Sequence, residues 1–510
     1  MNSSIWGDCS RDKDGPPQEF KDVKMMRVVM MDSALRDEIK AALVTALGES
    51  KVLWKSSDLL PYAADNSRMR PEEVSQHLPD LAVLPESTSD VQAVVKVAAE
   101  HKTPLIPKGG GSNRTGMLIP IHGGIVIDTI RMNKVVEVNI PNLYVTVQPG
   151  ITLKELEEHL VGHGLALNQE QGSFKVATVG GSISTAGFSR KYQKYGTISD
   201  RIMSLEVVLA DGRLLRTGPK VLYTSTGYRL HQLFVGAEGT LGIITEATLR
   251  VEPIPESTEI LLAFYDDIWA AYEAALRVIA SGVMFVGADL SEPADPEACG
   301  ASPGKRAALS IYFEGTKGEV DADVRYVKGI VLETGGFLAG RDNAMLFYDE
   351  FTKLWCGDRA LLKAEDETTA YVPTERVQEF YDTLWNKIMP KYGMGTVPGN
   401  RYGIDVGRYS MSYCRFYIPE RERGWEDYRK ALAEVAGLAV ALGGSISSCT
   451  GVGLKNKDDL ALEFSDVAME TMWKIKSEMD PYNIMNPGKK LPKRKGGHAA
   501  NGTEPVELRL

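Results

Sequence analysis

The sequence predicts an α+β protein with more than one domain, and three observations lead to that expectation. The chain has 510 residues, which is long for a single hydrophobic core. From about residue 52 to residue 253, short apolar runs with strand character alternate with segments of helical periodicity. After that point the helical segments become longer and strands lie between them, which indicates a second domain of different texture.

The domain organisation follows from these changes along the chain. Pro253 and Pro255 close the first domain, because proline cannot donate a hydrogen bond to a continuing sheet. We expect five successive regions, namely an N-terminal extension with a first helix (1–50), a first domain (51–255), a second α+β domain (256–436), a C-terminal segment (437–495) and a flexible tail (496–510).

Local patterns predict several elements of the first domain. Apolar residues recur at helical spacing over residues 91–98, and Ser89 is the predicted N-cap of that helix. Thr152 and Glu155 form a capping-box pattern, which predicts the start of a second helix. The dipeptide Asp211-Gly212 separates two apolar runs and predicts a hairpin between two strands.

Charge, cysteine usage and hydropathy restrict the class of protein. The formal net charge is −10, which argues against nucleic acid as the main partner. Five cysteines without CxxC spacing indicate neither a disulfide framework nor a cysteine zinc site, and they fit a reducing compartment. No apolar run approaches the ~20 residues of a membrane helix, and the first 25 residues lack the apolar stretch of a signal peptide. We expect a cytoplasmic protein, with peripheral attachment to a membrane left open.

Three glycine-rich segments are the most informative part of the sequence. They are Pro107–Gly116 (PKGGGSNRTG), Thr178–Gly187 (TVGGSISTAG) and Leu233–Gly242 (LFVGAEGTLG). Backbone that approaches a phosphate or a flat ring closely needs residues without a Cβ. Successive free N–H groups then form a concave nest for negative charge. The three segments therefore predict one extended anionic cofactor that is contacted at three places.

Two common phosphate-binding motifs do not account for these segments. Gly111 and Gly116 have the glycine spacing of a P-loop, but Met117-Leu118 replace its lysine and hydroxyl residue. A dinucleotide-binding fingerprint needs a third glycine three residues after Gly111, and Arg114 stands there. Both motifs are excluded.

The joint pattern instead resembles the vanillyl-alcohol oxidase/p-cresol methylhydroxylase flavoprotein superfamily, and within it the glycolate oxidase subunit/D-lactate dehydrogenase branch. The likeness rests on the three glycine-rich segments, on Glu206–Gly212 (EVVLADG) and on Asp480–Pro492 (DPYNIMNPGKKLP). It covers about residues 55–255 and 440–492. It implies a two-subdomain FAD-binding domain of the p-cresol methylhydroxylase type, an α+β substrate (cap) domain, and a C-terminal segment that returns to the FAD domain.

The resemblance also implies where FAD would be held. The pyrophosphate would lie on the backbone of Gly109–Asn113, while Gly180–Ser184 and Gly239–Gly242 would lie along the isoalloxazine and adenosine portions. A non-covalent cofactor is expected, because Ser112-Asn113 stand where a covalent link would need a histidine. The full set of cofactor residues implied by the resemblance is Pro107, Lys108, Gly109, Gly110, Gly111, Ser112, Asn113, Gly116, Thr178, Gly180, Gly181, Ser182, Ser184, Gly187, Gly239, Gly242, Ile243 and Asn486.

The second domain departs from the pattern of the branch that it resembles. That branch carries an HxGDGNxH-like motif and a later EHG, which together supply metal ligands and a histidine base. Here the first motif aligns with Tyr402–Tyr409 (YGIDVGRY), so that tyrosines stand at both histidine positions. The second motif aligns with Cys449-Thr450-Gly451, and no histidine occurs between residues 232 and 497. We therefore expect no bound metal and a substrate site that has been altered; an inactive copy is the alternative.

The candidate catalytic residues lie on or beside one predicted strand. Oxidation of a C–H bond next to oxygen needs a hydride acceptor, removal of the hydroxyl proton and an anchor for the rest of the substrate. An arginine could hold a carboxylate in bidentate fashion, and a tyrosine could assist deprotonation. The candidates are Arg401, Tyr402, Arg408, Tyr409 and Arg415.

Three functions remain open from the sequence. The first is oxidation of a 2-hydroxy acid to a 2-oxo acid by FAD without a metal. The second is oxidation of a para-substituted phenol or another alcohol, with the tyrosines holding the phenolate. The third is a flavin-binding subunit of a larger redox complex. The expected partners are a small-molecule substrate, an electron-acceptor protein or oxygen, and a second copy of the chain.

Overall fold

The computed structural model describes most of the chain as two compact units. The large unit comprises Met30–Ile254, Thr369–Tyr371 and the chain from Ala433 onward, and the small unit comprises Pro255–Thr368 and Val372–Leu432. Side chains are not described within residues 350–356, 365–368 and 410–417. The described residues are 31–67, 76–293, 295–356, 365–395, 403–407, 410–417 and 424–494.

A four-stranded sheet forms the first half of the large unit. Its outer strand is antiparallel to its neighbour and the other three strands are parallel. Helices Ser33–Leu47 and Thr88–His101 pack on it, and buried Ile39, Leu43 and Val95 join the strand residues in one hydrophobic core. The strand order is Val52–Leu53, Leu81–Val83, Ile125–Asp128 and Leu105–Lys108.

The helix Thr88–His101 begins two residues earlier than the sequence predicted. Ser87 is the N-cap, and its side chain accepts a hydrogen bond from the Asp90 N–H at 3.2 Å. The Asp90 carboxylate in turn accepts from the Glu86 N–H at 2.9 Å. The prediction of Ser89 as N-cap is wrong. The Ser87 side chain already accepts from an N–H group of the first helical turn, so the helix begins before the apolar periodicity does.

A five-stranded antiparallel sheet forms the second half of the large unit. The predicted capping box is confirmed, since Thr152 and Glu155 bond each other's backbone at the start of helix Leu153–Val161. The predicted hairpin is also confirmed, because the strands on either side of Asp211-Gly212 pair from Val208↔Leu214 onward. The strand order is Val135–Asn139, Tyr144–Val147, Ile243–Arg250, Ile202–Val208 and Leu214–Arg216.

Short elements complete the large unit. Strand Glu252–Pro253 pairs with Leu165–Ala166. The helices of this part are Ser56–Leu59, Val179–Ser184, Tyr192–Tyr195, Ile198–Arg201, Leu460–Glu463 and Asp466–Met479. Single 3₁₀ turns occur at Glu49–Lys51, Leu60–Tyr62, Thr129–Arg131, Leu230–Leu233 and Lys457–Asp459.

The small unit is built on a sheet of seven described strands. Its longest pairing is antiparallel and runs from Ser257↔Gly315 to Tyr265↔Ala307. The strand order is Phe337–Leu338, Ser257–Tyr265, Ala307–Gly315, Gly287–Ser291, Gly403–Asp405, Ser410–Tyr417 and Glu365–Val372. The helical elements are Ile268–Ala280, Lys317–Glu333, Arg341–Cys356, Thr374–Arg376, Val377–Thr383, Leu384–Ile388, Met389–Lys391 and Gly424–Ala441, the last of which contributes residues to each unit.

The predicted α+β class is confirmed, with helices and strands intermixed in both units. Among the helices that the structure describes, none is both long and apolar enough to cross a membrane.

Candidate functional site

The first glycine-rich segment offers a row of free backbone donors. It follows strand Leu105–Lys108, and residues 109–113 are half-buried. Within the described part of the chain, none of the N–H groups of residues 109–113 donates to a protein acceptor. Consecutive N–H groups of this kind form an anion-binding nest. The N–H groups of this segment are therefore free, as predicted, and could bind an anion.

Two glycines of this segment are required by close packing. A Cβ on Gly109 would lie 2.2 Å from Thr178 Oγ1, and a Cβ on Gly110 would lie 1.7 Å from the Val176 carbonyl oxygen. Both distances are far below any van der Waals contact. At Gly110 the obstacle is backbone, so no other residue fits there without movement of the backbone, whereas a side chain at Gly109 would require the Thr178 hydroxyl to turn away. The nest thus rests directly on the second glycine-rich segment, which is about seventy residues away in sequence.

The second segment folds as the short helix Val179–Ser184, with Thr178 as its N-cap. The N–H groups of Val179, Gly180 and Gly181 donate to Ile151 O, Pro149 O and Thr178 Oγ1, respectively. The Ser182 N–H donates to Thr178 O. The prediction of free N–H groups is wrong for this segment, because each donor of its first turn already has a protein acceptor.

The third segment packs against both of the others. The Gly236 N–H donates to Ile183 O at 3.0 Å and the Glu238 N–H donates to Ser184 O at 2.8 Å. Gly239 has a φ of +70°, and a Cβ there would lie 2.8 Å from Pro107 Cγ. The three segments therefore meet within the large unit, as one extended cofactor requires.

The other predicted cofactor residues of these segments have mainly packing roles. A Cβ on Gly187 would lie 2.2 Å from Gln171 Nε2, and one on Gly242 would lie 2.7 Å from Val207 Cγ1. Ile243 is buried in the hydrophobic core of the first sheet. The Lys108 ammonium lies 3.0 Å from Asp128 Oδ2, so its charge is already paired. Gly116 has a φ of +76° and is buried.

Glu238 is a buried carboxylate that sequence reasoning missed. It is 4% exposed and accepts hydrogen bonds from the Val452 and Gly453 N–H groups, each at 2.8 Å. Its φ is +55°, in the left-handed region. The sequence did contain a signal for this role. A carboxylate in a glycine-rich loop that faces an anionic cofactor would repel the cofactor, so its presence indicates that it binds another part of the protein. Here it fastens the third segment to residues 452–453.

Asn486 joins the C-terminal segment to the residue that follows the first glycine-rich segment and to the third glycine-rich segment. Its Nδ2 donates to Met117 O at 3.0 Å and to Glu238 O at 2.8 Å, which fixes the orientation of the amide. The residue is 1% exposed, and among the described residues no donor reaches its buried Oδ1. A buried acceptor without a partner costs free energy unless a ligand satisfies it.

Two buried lysines hold the same C-terminal segment. Lys476 Nζ donates to Thr240 O at 2.9 Å and to Met485 O at 2.8 Å, and it pairs with the Asp480 carboxylate. Lys489 Nζ donates to Ile119 O. Burial lowers the pKa of Lys476, and it lowers the pKa of Lys489 to about 7. The two lysines donate to the backbone carbonyls of Thr240, Met485 and Ile119, and both side chains are buried.

The candidate catalytic residues are not placed by the structure. Arg401, Tyr402, Arg408 and Tyr409 lie outside the described residues, and Arg415 belongs to strand Ser410–Tyr417, whose side chains are not described. Asp405, which aligns with the aspartate of the branch's motif, is buried in strand Gly403–Asp405 opposite Asp289. In the described parts of the chain, no group of three or more His, Cys, Asp or Glu is placed to hold a metal ion.

Comparison with known proteins identifies the family. A family model described as an FAD binding domain matches residues 79–218, and one described as the C-terminal domain of FAD linked oxidases matches residues 254–490. The chain is 31% identical to the glycolate oxidase subunit GlcD of Bacillus subtilis, over 89% of this chain and 97% of that protein. The chain belongs to the FAD-linked oxidase family. It is therefore an FAD-linked oxidase or dehydrogenase, and FAD is its cofactor.

Other members and solved structures agree with this placement. A D-lactate dehydrogenase of Archaeoglobus fulgidus is 30% identical, over 81% of this chain and 91% of that protein. An alkyldihydroxyacetonephosphate synthase superposes with a TM-score of 0.74 at 22% identity, covering 89% of this chain and 86% of that one. p-Cresol methylhydroxylase with substrate bound gives a TM-score of 0.74 at 18% identity, covering 90% and 97%. The predicted FAD-binding domain of the p-cresol methylhydroxylase type is confirmed.

The residues of the large unit fit FAD. The free N–H groups of residues 109–113 suit a pyrophosphate, which carries negative charge and has only acceptor oxygens. The unpartnered Oδ1 of Asn486 suits a hydroxyl or amine hydrogen of the same molecule. The missing Cβ atoms at Gly109 and Gly110 let the segment with the free N–H groups lie directly against residues 176–178.

Proposed function

We propose that this FAD-linked oxidoreductase oxidises a 2-hydroxy acid to the corresponding 2-oxo acid. The observation that carries the proposal is the identity of about 30% over nearly the whole chain to proteins named as a glycolate oxidase subunit and a D-lactate dehydrogenase. Both names refer to 2-hydroxy acids. Identity of this extent spans both matched domains, so it includes the domain in which a substrate would be chosen.

FAD, when bound, supplies the acceptor for the hydride that leaves the substrate carbon. The protein's own part begins with the N–H groups of residues 109–113, which would bind the pyrophosphate and neutralise part of its charge. Asn486 would accept one hydrogen bond from the cofactor through Oδ1. The remaining cofactor residues implied by the sequence resemblance stay part of this proposal.

The substrate would be held by residues of the small unit. One arginine among Arg401, Arg408 and Arg415 would bind the carboxylate, because a guanidinium matches a carboxylate with two parallel hydrogen bonds. Tyr402 or Tyr409 would assist removal of the hydroxyl proton. The reaction would need no metal, since tyrosines stand where the branch that the chain resembles has histidines.

A second function is favoured by one sequence feature. Tyr402 and Tyr409 beside arginines would also hold a phenolate, so a para-substituted phenol or another alcohol is the alternative substrate. A flavin subunit of a redox complex is the third candidate. The electrons would pass to a protein acceptor or to oxygen, and a homodimer is part of the same proposal.

Anaerobic bleaching of the flavin spectrum tests these alternatives directly. The purified holoprotein would be mixed with D- and L-2-hydroxy acids and with 4-alkylphenols, each with and without a chelator. Bleaching by a hydroxy acid that the chelator leaves unchanged is the expected result. Bleaching by phenols alone would replace the proposal with the second function. If neither class bleaches the flavin, the subunit function becomes the better account.

A further inference from the structure

Two histidines lie side by side at the end of helix Leu153–Val161 in the large unit. Gly162, the C-cap, keeps right-handed helical backbone angles, and the His163 N–H donates to Leu160 O at 2.8 Å. The helical path therefore continues to residue 163, so that His163 stands one turn after His159 on the same face. Their ring centroids are 5.2 Å apart, with an angle of 45° between the ring planes. We call His159 and His163 the histidine pair.

The imidazoles of the histidine pair are exposed and are not used by the fold. The buried face of the helix consists of Leu153, Leu156 and Leu160, and both histidines lie outside it. Within the described part of the chain, neither imidazole forms a hydrogen bond or an ion pair with another residue. A neutral imidazole has one nitrogen with a free lone pair, which can bind a metal ion. The pair therefore presents two nitrogen ligands to solvent.

The spacing of the two rings matches imidazoles that share one tetrahedral metal ion. A histidine nitrogen binds Zn²⁺ at about 2.0–2.1 Å, and two imidazoles at the tetrahedral angle then have ring centroids about 5 Å apart. The histidine pair has 5.2 Å. At the right angle of a square-planar site, the centroids would be only about 4.5 Å apart. The observed spacing therefore favours a tetrahedral ion such as Zn²⁺.

The charges around the histidine pair also favour a cation. The C-terminal end of a helix carries a partial negative charge, and both histidines lie at that end. Helix Leu153–Val161 contains one lysine and three glutamates, so its net charge is −2 when His159 is neutral. A metal ion at the pair would meet no cationic side chain from the last turn of the helix, which contains His159 as its basic residue.

The pair would hold a metal ion in an open site. In the part of the chain that the structure describes, no group of three or more His, Cys, Asp or Glu is placed to hold a metal ion. Water would therefore fill the other coordination positions of an ion bound by the pair. Structural zinc sites are closed by four protein ligands, whereas a site with open positions can accept a ligand from outside.

We propose that the histidine pair binds one Zn²⁺ ion, with water in the remaining coordination positions. Imidazole nitrogen suits Zn²⁺ and similar transition metals, whereas Mg²⁺ and Ca²⁺ prefer oxygen ligands. The ion would cross-link the last turn of the helix to the turn that follows it. That turn also includes Gly164, whose carbonyl oxygen accepts from the N–H of Ile254 at 3.0 Å. The site goes beyond the proposed oxidation, which needs no metal.

Calorimetric titration of the metal-free holoprotein with Zn²⁺ tests the proposal, with Mg²⁺ as the comparison ion. The variants are His159→Gln and His163→Gln, because glutamine keeps a polar side chain of similar size and removes the imidazole. His101→Gln is the matched control, since His101 also lies in the last turn of a helix but has no second histidine one turn away. The FAD content and circular dichroism of each variant would verify that it is folded.

The original protein is expected to bind Zn²⁺ at least about tenfold more tightly than either variant of the pair, because the second imidazole of a chelate binds the ion intramolecularly. His101→Gln should bind Zn²⁺ like the original protein, and Mg²⁺ should not compete for the site. The proposal would be overturned by an original protein that binds no zinc, by a variant of the pair that keeps the original affinity, or by an equal loss of affinity in His101→Gln.

The metal site and the proposed oxidation fail in different ways. A chelator should remove zinc from the histidine pair and leave anaerobic bleaching by a hydroxy acid unchanged. If hydroxy acids bleach the flavin but the pair variants bind zinc like the control, the function stands and the metal site falls. If the pair variants lose zinc binding but no hydroxy acid bleaches the flavin, the metal site stands and the proposed function falls.

Discussion

At the scale of single residues, the cofactor site depends on one position that cannot carry a side chain and on one carboxylate. Gly110 lies so close to the Val176 carbonyl that a Cβ would overlap its oxygen. Glu238 supplies two hydrogen bonds to a neighbouring segment and lies within a few residues of Gly236 and Gly239, whose backbones pack on the other two segments. Both residues act on the shape of the site.

Gly110→Ala is expected to weaken FAD binding and to destabilise the large unit by about 1–3 kcal/mol, because the added methyl group forces the nest away from residue 176. Fluorescence titration of the apoprotein with FAD and urea unfolding would measure both effects. Gly329→Ala is the matched control. Gly329 is exposed in the middle of helix Lys317–Glu333 with nothing near its Cβ position, so alanine should stabilise by about 1 kcal/mol. If Gly110→Ala and Gly329→Ala change the free energy of unfolding and the affinity for FAD in the same way, the close packing at Gly110 does not limit the residue that can stand there.

Glu238→Ala should raise the dissociation constant of FAD by about tenfold or more, because two buried N–H groups lose a charged acceptor. Glu238→Gln should have a smaller effect, since its amide oxygen still accepts one of the two hydrogen bonds. The exposed Glu333, which pairs with Arg277 at 2.8 Å in the small unit, provides the control variant Glu333→Gln. If both Glu238 variants bind FAD with the same dissociation constant as the control variant, the Glu238 carboxylate does not shape the site.

At the scale of elements, the sequence predicts structure that depends on neighbouring residues but does not predict structure that depends on contacts between distant residues. The capping box at Thr152 and Glu155 and the turn at Asp211-Gly212 depend on residues within four positions of each other, so the sequence predicts them well. The sequence correctly predicts free N–H groups in the first glycine-rich segment. In the second segment the N–H groups are not free, because they donate to Thr178 and to residues 149–151. Those acceptors become visible only when the chain has folded.

The lack of any local pattern for long-range contacts also explains which site residues the sequence analysis missed. Glu238 contacts residues that lie more than 200 positions away in the sequence. No periodicity or short motif records such a pair. The position of Asn486 was available only through the resemblance of the C-terminal sequence to its family, and its contacts with Met117 and Glu238 give the physical reason for that likeness.

Lys476→Met should destabilise the C-terminal element by about 3–5 kcal/mol, because it leaves the Asp480 carboxylate buried without its cation. The double variant Lys476→Met/Asp480→Asn should recover part of that loss, since the uncompensated charge is then removed. Urea unfolding of the apoproteins would give the free energies. A double variant that is no more stable than the single one would mean that the lysine's carbonyl contacts, and not the charge pair, carry the stability.

At the scale of the whole molecule, stability should depend on pH through Lys489, a buried lysine of the C-terminal segment. Lys489 faces Asp65 and Glu238, whose charges favour its protonation, and Lys457, whose charge opposes it; His77 and His122 lie in the same region. Burial is the largest influence and lowers the pKa of Lys489 to about 7, from the ordinary 10.5. Between these values the unfolded chain binds a proton that the folded chain does not.

The free energy of unfolding should therefore rise with pH from about 7 to about 10.5, by up to ~1.4 kcal/mol per pH unit, and the gain should be lost as the pH falls through 7. Subtracting the pH profile of Lys489→Met isolates this contribution, because methionine fills similar volume and does not titrate. A difference profile that is flat over this range would show that Lys489 keeps its ordinary pKa in the folded protein.

The path of the chain through the cofactor site has a consequence for biosynthesis. The nest comes from residues 109–113, but Asn486 and Lys489, which bind the Met117 and Ile119 carbonyls just after it, are added about 370 residues later. A nascent chain can form the first sheet early and still lack the segment that holds residues 117 and 119. We therefore expect FAD to be captured only after residues 484–489 have been synthesised, and a chain that is interrupted before residue 484 to be released without bound FAD.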